Sequence, residues 1–405
     1  MSVKRRDNKN RILRNGESQR KDGRYAYVYV DTDGKQKFLY SWKLEETDRL
    51  PQEKRDCVSL RTKIKNLKKD IDDGIRPNGD GLTVLELVEK YTSQKNGVRS
   101  STKAGYDYAI QITQKDSFGR KRIDQVKLSD VKQWFIKMQK NGKSYSTICR
   151  VRGVLKPAFQ MAVDDDLIRK NPFDFPLSTI VINDSKAREA LTEDQQEKFL
   201  DFVKNDSHFS QYYDAIYILF HTGLRISEFT GLLESNIDFD NRKIIVNHQL
   251  LRRSVNHHME YYIEDTKTAK GVREVPMTQD VAECFLRIFK RRNKTDNDLV
   301  VDGMRGFIFR SKNNGPVSAN HWQNYFEGIC MKYNKCHDSQ KLKVTPHVCR
   351  HTFCTNMARH GMNPKTLQYI MGHSNISITL DVYTHIGYDD AQMEMERVYG
   401  NMKTY

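Results

Sequence analysis

The sequence predicts a multidomain protein: a small α+β module built from a three-stranded sheet and one helix, then an all-α module, then a larger, α-rich mixed α+β module. Three observations predict it. Short alternating runs joined by turn signals fill residues 11–42, helical spacing dominates residues 82–175, and strand signals sit among helical stretches in residues 190–405.

The first module is expected over residues 1–75. Residues 1–10 are polar and basic and read as disordered. A strand is expected near Arg11–Arg14, ending at Asn15-Gly16. Arg24 to Val30 alternates Tyr25, Tyr27 and Tyr29 with Ala26, Val28 and Val30, and after the Asp33-Gly34 turn a further strand runs from Lys37 to Trp42. Cys57, Leu60, Ile64, Leu67 and Ile71 then recur at spacings of three and four, one face of an amphipathic helix. The tyrosine stripe has two readings, packing on the helix or facing outward. The favoured expectation puts Ala26, Val28 and Val30 inside and the three tyrosines outside.

Gly74–Gly81 has linker composition. Thr83 with Glu86 makes a capping box that opens the second module, residues 82–175. Helices are expected over 101–115, 129–140 and 144–162, with Asn171-Pro172 and Pro176 ending the bundle and 178–190 extended. Thr192 with Gln195 opens the third module, residues 190–405, with strands expected at 243–249, 260–264 and 273–276.

Composition narrows the function. The 68 Lys+Arg against 52 Asp+Glu leave a formal charge of +16, which points to a polyanion, nucleic acid first. The excess is uneven: residues 1–75 carry +7, 76–180 carry +8 and 181–405 only +1. Binding modules thus precede a domain with a different task. Seven cysteines without paired spacing read as buried thiols in a reducing cytoplasm. No apolar run approaches the roughly 20 residues of a membrane span. Met1 to Arg6 is charged but leads into no apolar stretch, so neither a membrane anchor nor a signal peptide is expected.

Four segments of the third module carry chemistry. In His221-Thr-Gly-Leu-Arg225-Ile-Ser-Glu228, an arginine stands at a helix start and Glu228, one turn on, is placed to hold its guanidinium. Asp265-Thr-Lys267-Thr268 lies between two strands, which puts Lys267 on a hairpin turn. In Thr345-Pro346-His347-Val-Cys-Arg350-His351-Thr-Phe, Thr345 suits a cap and Pro346 a first helical position. His347 and Arg350 share a face in the first turn, where backbone N–H groups favour an anion. Gly372 ends a helix, His373 follows it, and Tyr383 stands ten residues on. His347, Cys349, His351 and Cys354 also crowd together, but a helix sends Cys349 away from His347, and no metal site is expected.

Together these residues suit transfer at a phosphodiester. Two arginines can bind the non-bridging oxygens, which gain charge as the phosphorus is attacked. A phenol with a pKa near ~10 needs cations and a base to act as nucleophile, and the departing 5′ oxygen needs a proton.

The order Arg225, Lys267, His347-x-x-Arg350, Gly372-His373, Tyr383 resembles the signature of tyrosine recombinases of the phage lambda integrase type. The resemblance spans residues 190–390 and extends to Thr-Gly-Leu-Arg-Ile-Ser-Glu and to Met-Gly-His-Ser-Asn-Ile-x-x-Thr-Leu-Asp-x-Tyr-Thr-His. The N-terminal sheet and helix resemble the integrases of conjugative transposons. The resemblance implies that Arg225 and Arg350 bind the scissile phosphate and His373 hydrogen-bonds it. It makes His347 a general base or proton shuttle, Lys267 the general acid, and Tyr383 the nucleophile of a 3′-phosphotyrosine.

It also implies no cofactor, neither metal nor ATP, and four protomers exchanging strands through a Holliday junction, in integration and excision. Residues 1–75 become an arm-type DNA-binding domain contacting DNA through Tyr25, Tyr27 and Tyr29. Residues 82–175 become a core-binding domain and 190–405 the catalytic domain. Double-stranded DNA with core-type and arm-type sites, and an accessory excision factor, are the partners expected in the cytoplasm. The competing readings are a type IB topoisomerase, a non-enzymatic DNA-binding regulator and a zinc-dependent nucleic-acid protein.

Overall fold

The structure, a computed structural model, describes residues 5–30, 34, 36–51, 54–72, 81–185, 189–255, 258–265, 271–291, 300–311, 315–337 and 341–383, with 391, 392, 395, 396 and 399. The chain divides into two compact units, Met1–Lys186 and Ala187–Tyr405.

The first unit opens with an antiparallel sheet, β1 (Glu17–Gln19), β2 (Tyr25–Val30) and β3 (Gln36–Ser41), in that order. Helix α1 (Leu60–Asp72) packs on it through Leu60 and Ile64, which meet Leu13, Tyr25 and Leu44. Three expectations are corrected here. The first strand lies after Gly16, not before it, because residues 11–14 form only a bridge, Arg6 to Ile12. That bridge orders residues 5–10. Asp7, 8% exposed, accepts from the Arg11 N–H and guanidinium and from the Tyr25 hydroxyl.

On β2 the expected burial holds for Ala26, 4% exposed, but fails for the tyrosines and Val30. Tyr25 and Tyr29 are buried and Tyr27 packs against the same core, while Val30 is 63% exposed. One helix covers a three-stranded sheet only if large side chains fill the gap, and a buried tyrosine is tolerated where its hydroxyl is satisfied. Asp7 and Arg11 satisfy that of Tyr25 at 3.0 and 2.9 Å. The expected linker at 74–81 lies outside the described residues apart from Gly81.

The helical part of the unit contains α2 (Val84–Ser93), α3 (Ser100–Lys115), α4 (Leu128–Lys140) and α5 (Tyr145–Asp164). The Thr83–Glu86 capping box is formed in both directions. Phe118 stacks on Trp134 at 4.4 Å in the core. The chain beyond Asn171 is not yet an extended linker. Phe173, Leu177 and Val181 are buried in the bundle, and Asn171 turns the chain by donating to the Lys156 carbonyl and accepting from the Phe173 N–H.

The second unit has one large core. Its elements are α6 (Glu193–Asn205), α7 (Tyr213–Thr222), α8 (Ile226–Gly231), β4 (Ile237–Asp238), β5 (Lys243–Val246), β6 (His248–Val255), β7 (His258–Asp265), β8 (Arg273–Pro276), α9 (Gln279–Arg291), α10 (Ala319–Cys336), α11 (Pro346–Arg359), α12 (Pro364–Met371) and α13 (Ile376–Tyr383). The sheet order is β4-β5-β8, and β6 with β7 forms a separate hairpin. Lys267 lies outside the described residues, but its flanking strands, β7 and β8, belong to different sheets. The hairpin turn expected at Lys267 thus also lies outside the described residues. All seven cysteines are free, and the expectation of burial fails for Cys149 and Cys336, which are exposed. Among the described residues no helix is long and apolar enough to cross a membrane.

The burial along β2 has a measurable consequence. Tyr25→Ala is expected to cost about 3–5 kcal/mol, the range for removing a buried aromatic ring, whereas Val30→Ala stays within about 0.5 kcal/mol. Hydrogen-exchange protection of the β1–β3 amides measures both. Equal losses would contradict the assignment of faces.

Candidate active site

The site grows from the ends of short helices. Helix α7 stops at Gly223, whose φ of +64° suits glycine, and a Cβ there would stand 2.6 Å from the Phe353 ring. Two residues later Arg225 caps α8. Its backbone N–H donates to Glu228 Oε2 at 2.9 Å and its Nη1 to Oε1 at 2.7 Å, so Glu228 holds the arginine as the spacing implied. Thr345 caps α11 by accepting from the Val348 N–H, with Pro346 at the first position. This sets His347 exposed on the first turn and Arg350 buried one turn on.

Helix α12 ends at Gly372 (φ +61°), where a Cβ would lie 2.9 Å from Arg273 Nη1. Its last carbonyls are taken by three arginines from three elements. Arg273 Nε donates to Ile370 O at 2.6 Å, Arg350 Nη2 to Met371 O at 2.6 Å and Arg225 Nη2 to Gly372 O at 2.7 Å. Arg350 Nη1 also donates to Gly223 O at 2.5 Å. Cations at a helix C-terminus complement its partial negative charge. Here they also fix the chain from which His373 projects, and the His373 Nδ1 shares a hydrogen bond with Thr379 Oγ1 at 3.0 Å.

Burial would raise the Glu228 carboxyl, but the Arg273 hydrogen bonds and charge, with Arg225, hold it at about 2. Burial, then the charge of Arg225, presses Arg350 down to about 9, so it stays cationic at neutral pH. Burial and then Arg350, Arg225 and Arg273 push His373 down to about 4, which leaves a neutral imidazole.

His347, Arg350 and His373 line one cleft of about 810 Å³, with His351, Asp381 and Val382 in its wall. Tyr383 departs from the expectation that its phenol folds back beside the arginines. It ends α13 packed against the core, and its hydroxyl donates to the Met362 carbonyl. There a backbone carbonyl accepts the phenolic proton, which a guanidinium group, a donor only, cannot do. Burial raises the phenol's pKa further.

Arg273 escaped the sequence reading. The signal was there: in β8 it alternates with buried Val275, and an arginine on a core face requires a buried acid. On the first unit, the outer face of the sheet was also missed. Arg20 and Arg24 lie over Tyr40 at 5.3 and 5.4 Å, and Arg24 and Lys54 over Trp42 at 5.8 and 5.2 Å.

The whole chain now bears comparison with known proteins. Residues 189–389 match the phage integrase family, and residues 1–71 match the DNA binding domain of Tn916 integrase. The transposase from transposon Tn916 of Enterococcus faecalis is 48% identical over 398 residues, 98% of this chain and 97% of the relative. The structure of the Tn1549 transposon integrase in complex with a circular intermediate DNA is 45% identical. It covers 78% of this chain and 99% of that one, with a TM-score of 0.73. A lambda integrase tetramer bound to a Holliday junction, 14% identical over 91% of this chain and 94% of that one, shares the fold with a TM-score of 0.50. The chain therefore belongs to the phage integrase family, as a tyrosine recombinase of the conjugative-transposon type. It is a site-specific recombinase of a mobile element.

The buried carboxylate gives a pH prediction. Glu228 falls from 4.5 to about 2 on folding, so it stabilises the fold above pH 4.5 and loses that contribution as pH drops through about 2. The shift corresponds to about 3 kcal/mol at most. Glu228→Gln should lower the neutral-pH melting temperature and flatten this acid limb in urea titrations. An unchanged acid limb would contradict the assignment.

Proposed function

We propose that Arg225 and Arg350 bind the non-bridging oxygens of a scissile DNA phosphate and that Tyr383 attacks its phosphorus. The observation that carries this reading is the convergence of both arginines, with His373, on one helix end beside the cleft. Arg350 is held from behind by two carbonyls. Arg225, bound to Glu228 and Gly372 O, keeps 36% of its side chain exposed.

In the proposed step the Tyr383 oxygen forms a bond to phosphorus as the bond to the 5′ oxygen breaks. The phenol exchanges the Met362 carbonyl for the phosphate, and His347 takes its proton. Neutral His373 donates a hydrogen bond to a phosphate oxygen, and Lys267 protonates the departing 5′ oxygen. The 3′-phosphotyrosine conserves the bond energy for rejoining, so the step needs neither ATP nor a metal ion.

The lambda integrase tetramer on a Holliday junction suggests the assembly: four copies of this chain exchanging strands pairwise in the cytoplasm, with an accessory factor directing excision. Residues 82–175 hold the core site. Residues 1–75 hold arm-type sites through the outer face of the sheet, where cations stack on Tyr40 and Trp42, rather than through Tyr25, Tyr27 and Tyr29.

Two experiments test this. On a nicked attachment-site duplex, Tyr383→Phe should bind DNA within about threefold of the parent and yield no covalent adduct, since it lacks only the nucleophilic oxygen. Peptide mapping of the parent adduct should find the nucleotide on Tyr383. Continued trapping by Tyr383→Phe would refute the assignment. Supercoil relaxation of a plasmid lacking the site would favour a topoisomerase.

The second experiment concerns the sheet. Arg24→Ala with Lys54→Ala should weaken arm-site binding at least about tenfold and reduce the slope of log K against log salt by roughly one to two. Tyr29→Phe should leave both unchanged. A salt slope equal to the parent's would exclude this face.

A further inference from the structure

Among the groups given no role above, one buried charge touches several parts of the site. Arg273 opens β8 with a side chain that is 0% exposed. Its Nη2 and Nη1 donate to the two oxygens of Glu228 at 2.8 and 3.1 Å. Its Nε donates to Ile370 O at 2.6 Å and its Nη1 to Gly271 O at 3.2 Å. The following N–H, that of Glu274, donates to the Tyr369 hydroxyl at 3.1 Å. From this position it reaches no solvent and therefore no DNA.

We infer that Arg273 is a positioning residue of the cleavage step: by binding both oxygens of Glu228 and the last turn of α12, it leaves Arg225 free to face the phosphate. The inference rests on the phosphate-clamp reading above. Glu228 Oε1 is shared between Nη1 of Arg225 and Nη1 of Arg273, and Oε2 between Arg273 Nη2 and the Arg225 N–H. Without Arg273, the Arg225 guanidinium is, among the described residues, the one left hydrogen-bonded to the buried carboxylate. A bidentate pair with Glu228 would turn both of its terminal nitrogens inward. That rotation gives up the bond to Gly372 O and draws the Arg225 charge onto Glu228.

The same loss frees the Ile370 carbonyl and loosens the turn that carries His373. A lysine cannot take over fully, because one ammonium on a flexible stem does not reproduce a fork that meets Glu228 on one edge and Ile370 on another.

The test uses the full-length protein and a nicked suicide duplex carrying an end of the element. Adduct formation is measured in single turnover at saturating DNA, with DNA affinity and circular dichroism in parallel. Arg273→Met is expected to slow adduct formation about 100-fold, the scale of a small misplacement of reacting groups, with DNA affinity within about threefold. Arg273→Lys is expected to recover part of the rate. Arg273→Met combined with Glu228→Gln is expected to be no slower than the slower single variant, since both act through one unit.

A folded Arg273→Met within about threefold of the parent rate overturns the inference. So does a loss restored by more DNA, or independent, multiplicative effects with Glu228→Gln. If Arg273→Met does not fold, Arg273→Lys decides by the same criterion. Failure of both to fold makes Arg273 a stability residue only and also overturns it. A parent that forms no adduct refutes the phosphotyrosine reading instead, which keeps the two failures distinct.

Discussion

A carboxylate held between two guanidinium groups is the constraint on which the rest of the second unit depends. Glu228 is 3% exposed, and an isolated charge so deep would cost several kcal/mol. Arg273 and Arg225 offset that cost only because each arrives in fixed geometry. Arg273 comes from the edge strand of a small sheet, and Arg225 from the cap of the helix that carries Glu228. The two cations in turn need acceptors beyond the carboxylate, and the end of α12 supplies them. Arg350 completes the set. Three carbonyls in sequence, each bound by a different arginine, lock α8, β8, α11 and α12 at one point.

This arrangement gathers cations at one point of a unit that carries almost no net charge. Residues 181–405 carry a formal +1, yet three of their guanidinium groups converge on one helix end. Burial, and then the field they make, keeps His373 neutral, so the imidazole offers a hydrogen bond rather than a fourth charge. The larger positive excess, in residues 1–180, suits affinity for a DNA backbone. On the proposed function, binding strength and bond-making chemistry rest on separate sets of cations.

The N-terminal sheet separates its faces by a different rule. Inside, tyrosines fill the space under α1, and Glu17, 1% exposed, receives two hydrogen bonds from Arg61 of that helix. Outside, arginines and a lysine lie on Tyr40 and Trp42. Both faces combine aromatic rings with cations, so composition does not distinguish them. What distinguishes them is whether a ring's polar group finds a buried partner.

The sequence by itself determined most of the helices, the family and the order of the site groups. Caps at Thr83, Thr192 and Thr345, glycines at 223 and 372, and the spacings of α3, α4 and α5 are local matters, decided by groups a few residues apart. The pairing of Arg225 with Glu228 is local too, one turn of helix. Only the tertiary structure decided which face of β2 is buried, how the strands flanking Lys267 divide between sheets, where the phenol of Tyr383 rests and what Arg273 binds. Each of these turns on a partner far along the chain: Asp7 for Tyr25, Met362 for Tyr383, Glu228 and Ile370 for Arg273. A buried polar group is placed by the acceptor that satisfies it, and periodicity within one segment carries no information about an acceptor in another.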